Sequence, residues 1–269
     1  MPERILYKAS DGALLSGYQF GDISKPCLYF SHSLGCTSEM WATEISILEK
    51  EFCCLAMDTR GHGISEATVG AYSLDRLALD VLETLDYKGV SKAHFCGLSL
   101  GGMIGQKLSV RAPQRFLSFV LAATTSYMGP PENWQQRIDL ITSEGMEPIA
   151  ASAPNKWFSS NGGASDFAVE TSIGWILSTS TVGYSGCCAA IRDMDLRGVV
   201  ELNQVTTLIL AGNQDIATPP DNAKFLAEKI KNSTLILMDG GHLLNLEQPE
   251  RFCQEMLAFY EKELLLEFK

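Results

Sequence analysis

The stretch from Ala93 to Gly105 constrains the fold of this chain more than any other. A short apolar run leads into Gly97-Leu98-Ser99-Leu100-Gly101, after which apolar residues recur at helical spacing. The pattern G-x-S-x-G is typical of a sharp turn from a strand into a helix, with the serine at its corner. Such a turn strains the serine backbone, and it brings strand and helix so close that only glycine fits two residues before and two residues after it. The sequence therefore predicts a buried strand, a turn with Ser99 at positive φ, and a helix.

The turn at Ser99 also predicts chemistry. It directs the N–H of Leu100 and the N-terminus of the following helix at the space above the serine hydroxyl, where an oxyanion would form. Gly102 is expected to give the turn further conformational freedom. The alternative interpretation is a glycine-rich corner whose serine takes part in no reaction.

Apolar runs that predict buried strands alternate with helix-like stretches along most of the chain. The strand-like runs after a predicted N-terminal hairpin at Asp11-Gly12 are 28–30, 52–57, 92–96, 116–123, 206–211 and 235–238. Alternation of this kind is typical of an α/β fold, in which helices cover both faces of a mostly parallel sheet.

Residues 124–202 interrupt this alternation. They contain helix-like stretches and three tryptophans, Trp134, Trp157 and Trp175, but no strongly apolar strand. We interpret them as a helical cap inserted into a core that residues 1–123 and 203–269 form together. The alternative, a disordered linker, would leave the aromatic side chains exposed to water.

The charge of the chain excludes some classes of partner. A formal net charge of −11 argues against nucleic acids and anionic membranes. No apolar run approaches the roughly 20 residues of a membrane span, and no apolar signal core follows Met1–Arg4. An anionic substrate would be repelled at long range, so it would need a cation close to its binding site.

The eight cysteines are scattered and form no C-x-x-C motif, so we interpret them as free thiols in a reducing, cytoplasmic compartment. The four histidines lack metal-ligand spacing such as H-E-x-x-H, and the sequence implies neither a metal nor an organic cofactor. It leaves the oligomeric state open, a homodimer included.

Three residues that each follow a predicted strand form the candidate catalytic group. Ser99, Asp215 and His242 occur in the chain order Ser, Asp, His. In this interpretation His242 takes the proton of the Ser99 hydroxyl, and Asp215 fixes the imidazole tautomer. Because the carboxyl ends of parallel strands meet at one edge of a sheet, we expect the three side chains to lie there together.

The remaining histidines and one further carboxylate are weaker candidates for these roles. His32 lies in the loop after an early strand, His62 has no carboxylate reserved for it, and His94 lies inside a strand. Asp239 is the rival of Asp215, but it lies only three residues before His242 and too near a strand end to reach around the ring.

With these motifs in hand, the chain resembles the α/β-hydrolase superfamily from end to end and, more narrowly, 3-oxoadipate enol-lactonases. The stretches that carry the resemblance are Ser31-His32-Ser33-Leu34-Gly35, Asp58-Thr59-Arg60-Gly61-His62-Gly63, Gly97–Gly102, Asp215–Pro220 and His242–Pro249. Two pieces of the predicted cap, Lys156-Trp157-Phe158 and Ala189–Asp193, support the narrower resemblance. Ser33 departs from the pattern, because many such loops have glycine there, and we expect its backbone to keep ordinary φ and ψ values.

The resemblance implies an α/β-hydrolase fold, with a mostly parallel eight-stranded sheet flanked by helices and an inserted helical cap. It implies that the N–H groups of Leu34 and Leu100 form an oxyanion hole. The implied substrate is a small enol-lactone that bears a carboxylate, a product of aromatic-ring breakdown. Trp134, Arg137 and Arg192, all in the predicted cap, are the candidate substrate-binding residues; Arg137, near Trp134, is the first candidate for binding that carboxylate, and Arg192 is the second.

Three other functions stay open on the same residues. A general carboxylesterase or a carbon–carbon bond hydrolase would use the same three side chains. A ligand-sensing receptor could keep them with negligible turnover. In addition, either arginine could simply brace the cap through an ion pair.

Overall fold

The computed structural model describes residues 2–160 and 163–267; Met1, Asn161, Gly162, Phe268 and Lys269 lie outside the described residues. The strands of the sheet are β1 Glu3–Lys8, β2 Leu14–Phe20, β3 Cys27–Ser31, β4 Cys53–Met57, β5 Ala93–Leu98, β6 Phe116–Ala122, β7 Thr207–Gly212 and β8 Ser233–Met238. They form one eight-stranded sheet in the order β1-β2-β4-β3-β5-β6-β7-β8.

The sheet is antiparallel at one edge and parallel elsewhere. β1 and β2 form the hairpin that Asp11-Gly12 predicts, and β2 pairs antiparallel with β4. All other neighbours pair in parallel, from β4 through β3, β5, β6 and β7 to β8. Every residue of β3, β4, β5 and β7 is buried, as expected for strands covered on both faces. The predicted fold class is therefore confirmed.

The α-helices follow the strands and fill the long connection between β6 and β7. In chain order they are α1 Ala42–Leu48, α2 Leu74–Tyr87, α3 Leu100–Arg111, α4 Pro131–Glu144, α5 Glu147–Ser152, α6 Pro154–Trp157, α7 Asp166–Ser178, α8 Thr181–Arg192, α9 Pro220–Lys229, α10 Leu244–Glu247 and α11 Pro249–Glu267. Helices α4 to α8 all lie between β6 and β7, in the segment interpreted above as a cap. Within the described ranges, no helix has the length and apolar composition that crossing a bilayer requires.

All eight cysteines are buried and unpaired in the structure. Several lie within strands, where neighbouring apolar side chains surround them; Cys96 in β5 is an example. Their burial fits a packing role, because a buried thiol behaves as a small apolar side chain.

Glu44, on α1, is a charged residue type in an apolar setting. Its side chain is fully buried, and neither carboxyl oxygen has a hydrogen-bond partner among the described residues. Burial raises the pKa of the Glu44 carboxyl to about 8, because the ionised form loses its hydration. Near neutral pH the folded protein therefore holds this carboxyl protonated, whereas the unfolded chain ionises it.

We expect Glu44→Gln to increase the free energy of unfolding at pH 8 by up to about 4 kcal/mol and to have little effect at pH 5. Since the unfolded carboxyl loses its proton first, this group releases a proton on unfolding between these pH values, and its own contribution to wild-type stability falls as pH rises through that window. Urea denaturation at both pH values checks this, with the exposed Glu51→Gln as the control. The difference between variants is the measured quantity, because buried His62 and His94 have lowered pKa values and give an opposite slope in acid. An equal effect of Glu44→Gln at both pH values would contradict the raised pKa.

Candidate active site

The turn between β5 and α3 has the strained backbone that the sequence predicts. Ser99 adopts φ 57° and ψ −112°, a backbone conformation that residues other than glycine rarely adopt. A Cβ on Gly97 would lie 2.3 Å from the backbone of Gly101, and a Cβ on Gly101 would lie 2.1 Å from the carbonyl oxygen of Ser31. Strand, helix and the end of β3 thus meet at distances that only glycine permits.

Backbone hydrogen bonds hold Ser99 in this conformation. Its N–H donates to the carbonyl of Ala122 at 2.9 Å, and its carbonyl accepts from the hydroxyl of Thr124 at 2.8 Å. Thr124 also explains Gly102, where a Cβ would lie 2.6 Å from the threonine side chain. Gly102 is therefore needed for close packing against Thr124, a requirement that the sequence did not indicate. None of these bonds uses the Ser99 hydroxyl.

Asp215 and His242 are in direct contact. His242 Nδ1 lies 2.8 Å from Asp215 Oδ2, and both side chains are almost fully buried. The other carboxylate oxygen, Oδ1, accepts the N–H groups of Ala217 and Thr218 at 2.8 and 2.9 Å, and the Thr218 hydroxyl donates to Oδ2 at 2.7 Å. Burial alone would raise the pKa of the Asp215 carboxyl, but His242 and these donors outweigh it and hold the pKa below its usual value. The aspartate therefore stays ionised beside the imidazole.

The structure places the rival groups elsewhere. Asp239 is exposed and accepts a hydrogen bond from Gln214 at 3.0 Å, away from the His242 ring. His94 is buried within the sheet, where its Nδ1 lies 2.8 Å from the Ser118 hydroxyl. Of the histidines, His242 alone contacts a carboxylate within the described ranges.

His32 and His62 instead support the loop after β3. The Thr59 N–H donates to His32 Nε2 at 2.8 Å, and His32 Nδ1 lies 2.7 Å from the carbonyl of Ser33. The Gly35 N–H donates to His62 Nε2 at 3.0 Å. Both rings must be neutral to accept these bonds, and burial lowers the pKa of His62 to about 3. Sequence reasoning missed this role for His62; its only signal was a loop position without a carboxylate.

The two amides predicted to hold an oxyanion are available. Leu100 is the first residue of α3, so its N–H has no partner within the helix. The Leu34 N–H is hydrogen-bonded to no protein group in the described part of the chain. Ser33 is absent from the residues with positive φ, as expected, and Gly35 takes the left-handed conformation there, at φ 78°.

Trp157, in the segment between β6 and β7, joins two of these loops. Its carbonyl accepts the N–H groups of His242 and Leu243 at 2.8 and 3.0 Å. Its ring lies against the loop after β3, with Cη2 3.6 Å from where a Cβ on Gly35 would be. Together with the contact of Gly101 on Ser31, this links the turn at Ser99, the loop after β3 and the loop of His242. Between Ser99 and His242 themselves, no hydrogen bond is present in the residues that the structure describes.

The two candidate arginines have different surroundings. The Arg137 guanidinium lies over the Trp134 ring at 4.8 Å and donates to the Tyr184 hydroxyl at 3.5 Å; none of the described carboxylates is within ion-pair distance of it. The buried Tyr184 ring in turn contacts the loop after β3, 3.0 Å from a Cβ placed on Gly35. Tyr184 therefore lies between Arg137 and the loop after β3, and no described carboxylate pairs with the charge of Arg137.

Arg192 has its charge neutralised at the surface. It makes two hydrogen bonds to the Asp193 carboxylate, at 2.7 and 2.8 Å, and a third to Gln135 at 2.5 Å. It also lines a cavity of about 360 Å³ formed with residues such as Gly70 and Thr181, a group that includes none of the candidate catalytic residues. Arg192, the last residue of α8, is thus held in an ion pair and contacts none of the candidate catalytic residues within the described ranges.

Comparisons with known proteins agree with this architecture. Residues 26–165 match a family model described as the alpha/beta hydrolase fold. A 3-oxoadipate enol-lactonase of Acinetobacter baylyi is 37% identical over 235 residues, which are 87% of this chain and 88% of that protein. A crystal structure of a hydrolase from Pseudomonas aeruginosa is 37% identical with a TM-score of 0.93, and the match covers 96% of this chain and 98% of that one. The crystal structure of an enol-lactonase from Burkholderia xenovorans is 30% identical with a TM-score of 0.92, covering 96% and 100% of the two chains.

Proposed function

Because the chain belongs to the α/β-hydrolase family and is a hydrolase, we propose that it is a serine hydrolase that opens 3-oxoadipate enol-lactone to 3-oxoadipate in the breakdown of aromatic compounds. In this proposal Ser99, Asp215 and His242 are the catalytic triad. Residues 124–202 form a cap over a core of residues 1–123 and 203–269.

The observation that carries the proposal is the buried contact between Asp215 and His242. An ionised carboxylate on Nδ1 keeps the proton on that nitrogen, so Nε2 has a free lone pair to accept a proton. The strained turn presents the only other reactive group required, the Ser99 hydroxyl, which is not used to hold the backbone.

The chemistry follows from these positions. Ser99 Oγ attacks the lactone carbonyl while its proton passes to His242, and the N–H groups of Leu34 and Leu100 stabilise the oxyanion. The ring C–O bond then breaks, and the departing enolate takes the proton back from His242. Since this enol stays tethered to the acyl group, its ketonisation prevents the ring from closing again. Water activated by His242 finally releases the acyl group from Ser99.

Arg137 is proposed to bind the substrate carboxylate. Its positive charge has no carboxylate partner among the described residues and lies beside Tyr184, which packs on the loop of the proposed oxyanion hole. A second cation is close: burial and the positive charge of Arg137 lower the pKa of the Lys156 amine. Two neighbouring cations would offset the long-range repulsion from the net charge of −11.

We expect Arg137→Ala to raise KM for the enol-lactone by about 10- to 100-fold, with a smaller loss in kcat, because it removes a contact made in the ground state and the transition state alike. Steady-state kinetics check this, with Arg192→Ala as the matched control, since that arginine is already paired with Asp193. An unchanged KM in Arg137→Ala would remove its anchoring role.

The assay that tests the function uses freshly generated 3-oxoadipate enol-lactone beside a panel of simple p-nitrophenyl esters, followed by absorbance. A kcat/KM for the lactone at least about 100-fold above that for the esters supports the proposal. Activity on the esters alone would indicate a general carboxylesterase, and cleavage of a carbon–carbon bond in a β-diketone would indicate the other hydrolase class. Binding without turnover in single-turnover experiments would indicate a receptor.

A further inference from the structure

The loop that carries His242 is tied to the segment between β6 and β7 by a buried carboxylate, that of Glu247. Its Oε1 accepts the N–H of Ser159 at 2.5 Å, and its Oε2 accepts the N–H of Gly241. Ser159 follows α6, whereas Gly241 directly precedes His242. One side chain therefore joins two stretches of backbone that lie 82 residues apart in the sequence.

The two glycines before His242 pack tightly, Gly240 against the Glu247 carboxylate and Gly241 against residues 157–159. A Cβ on Gly240, which has φ 151°, would lie 2.8 Å from Glu247 Oε2. A Cβ on Gly241 would lie 2.8 Å from the Ser159 nitrogen and 2.9 Å from the Trp157 oxygen. Glycine at position 241 therefore lets the backbone before His242 press directly against residues 157–159, and glycine at position 240 leaves room for the Glu247 carboxylate.

No lysine or arginine is paired with Glu247 within the described ranges. Hydrogen bonds from backbone N–H groups stabilise its carboxylate instead. Bonds from N–H groups to an ionised carboxylate are short and strong, and more so when buried. Together with the two N–H groups that donate to the Trp157 carbonyl, they fix the backbone of residues 241–243 from one side.

We propose that Glu247 is a positioning residue that sets the place of the His242 imidazole by clamping its loop to residues 157–159. The proposal rests on the proposed function, since it takes His242 as the general base. Glu247 does not contact the reacting atoms. It acts through the backbone of Gly241, and it makes the position of the base depend on the inserted segment.

The test measures the rate at which Ser99 is phosphonylated by a fluorophosphonate probe, together with kcat and KM for the preferred ester or lactone. In the labelling step the serine oxygen bonds to phosphorus, fluoride leaves, and the serine proton passes to the general base. We expect Glu247→Ala to slow labelling and kcat by about 10- to 100-fold with KM changed less than about 3-fold, because a displacement of about 1 Å at the base costs this much. Glu247→Gln, which keeps one acceptor oxygen, is expected to lose less than Glu247→Ala.

Three further single variants separate positioning from folding. Glu250→Gln changes an exposed carboxylate in the next turn and should leave labelling unchanged. Ser159→Pro removes the N–H that Glu247 binds and puts a ring carbon in its place; Phe158 already has the extended backbone, φ −112° and ψ 149°, that precedes proline without a clash. Ser159→Ala keeps that N–H, so it should behave as wild type. The loss in Ser159→Pro should largely disappear in a Glu247→Ala background, because both changes break the same contact.

The outcomes are distinguishable. If the wild-type protein is not labelled at Ser99, the proposed catalytic triad is wrong. If it is labelled, and Glu247→Ala is labelled at the same rate while folded by circular dichroism, the clamp is overturned. A loss that only follows the folded fraction, or additive effects of Glu247→Ala and Ser159→Pro, would overturn it as well.

Discussion

Replacing Ser99 by alanine is expected to lower kcat by about 10⁴-fold or more, whatever ester or lactone is used. In the proposed mechanism, the change removes the atom that forms the covalent intermediate, the hydroxyl oxygen. It leaves the amides proposed to form the oxyanion hole and the Asp215–His242 pair in place. The residual rate is then the part that binding and electrostatic stabilisation supply without a nucleophile.

Alanine is the right substitution because it preserves the turn. It keeps the Cβ at φ 57°, so the backbone strain is unchanged, and the bonds from Ser99 to Ala122 and Thr124 use only backbone atoms. The midpoint of thermal unfolding should therefore stay within a few degrees of the wild-type value. A near-normal kcat in a folded Ser99→Ala protein would eliminate the serine mechanism.

Asp215→Asn is expected to lower kcat by a comparable factor, about 10⁴-fold. The N–H groups of Ala217 and Thr218 both donate to Oδ1, so they select the amide oxygen of an asparagine for that side. Its NH₂ group must then face His242 Nδ1. This forces Nδ1 to accept and moves the ring proton to Nε2, where the serine proton would have to go.

The matched control for this prediction is Asp239→Asn. Asp239 precedes His242 by three residues, but it is exposed and binds Gln214, so kcat should change less than about 2-fold. The pH profile of kcat, together with the circular dichroism of the folded protein, distinguishes a wrong tautomer from unfolding. Equal losses in the two variants would mean that the buried contact with His242 has no catalytic importance.

The sheet and the turn at Ser99 could be predicted from local features of the sequence. Buried parallel strands are uninterrupted apolar runs, and a glycine two residues before and after a serine has a steric cause that the Gly97–Gly101 distance shows directly. The pairing of Asp215 with His242 could also be anticipated, because each follows a strand and those strands are neighbours, β7 and β8. In these cases a short stretch of sequence is enough to predict the feature, because the residues that cause it lie within that stretch.

Other parts of the site depend on contacts between distant segments, which leave no local pattern. The carbonyl of Trp157 contacts the His242 loop, and the carboxylate of Glu247 contacts Ser159, only after the chain between β6 and β7 has folded back. His62 supports Gly35 across 27 residues. For Arg192, the sequence left a substrate contact and an ion pair open, and in the structure its guanidinium is paired with Asp193 at the next position.

The contact of Trp157 with both the His242 loop and Gly35 bears on attempts to change specificity by exchanging segments between relatives. Helices α4 to α8 form one contiguous block in the chain, so they look like a module that could be transplanted. A graft that brings in a different backbone at residues 157–159 would deprive His242 and Leu243 of their shared acceptor. Chimeras that retain the host's own residues from Pro154 to Ser159 should therefore keep turnover, whereas complete swaps should fold and yet be poor catalysts.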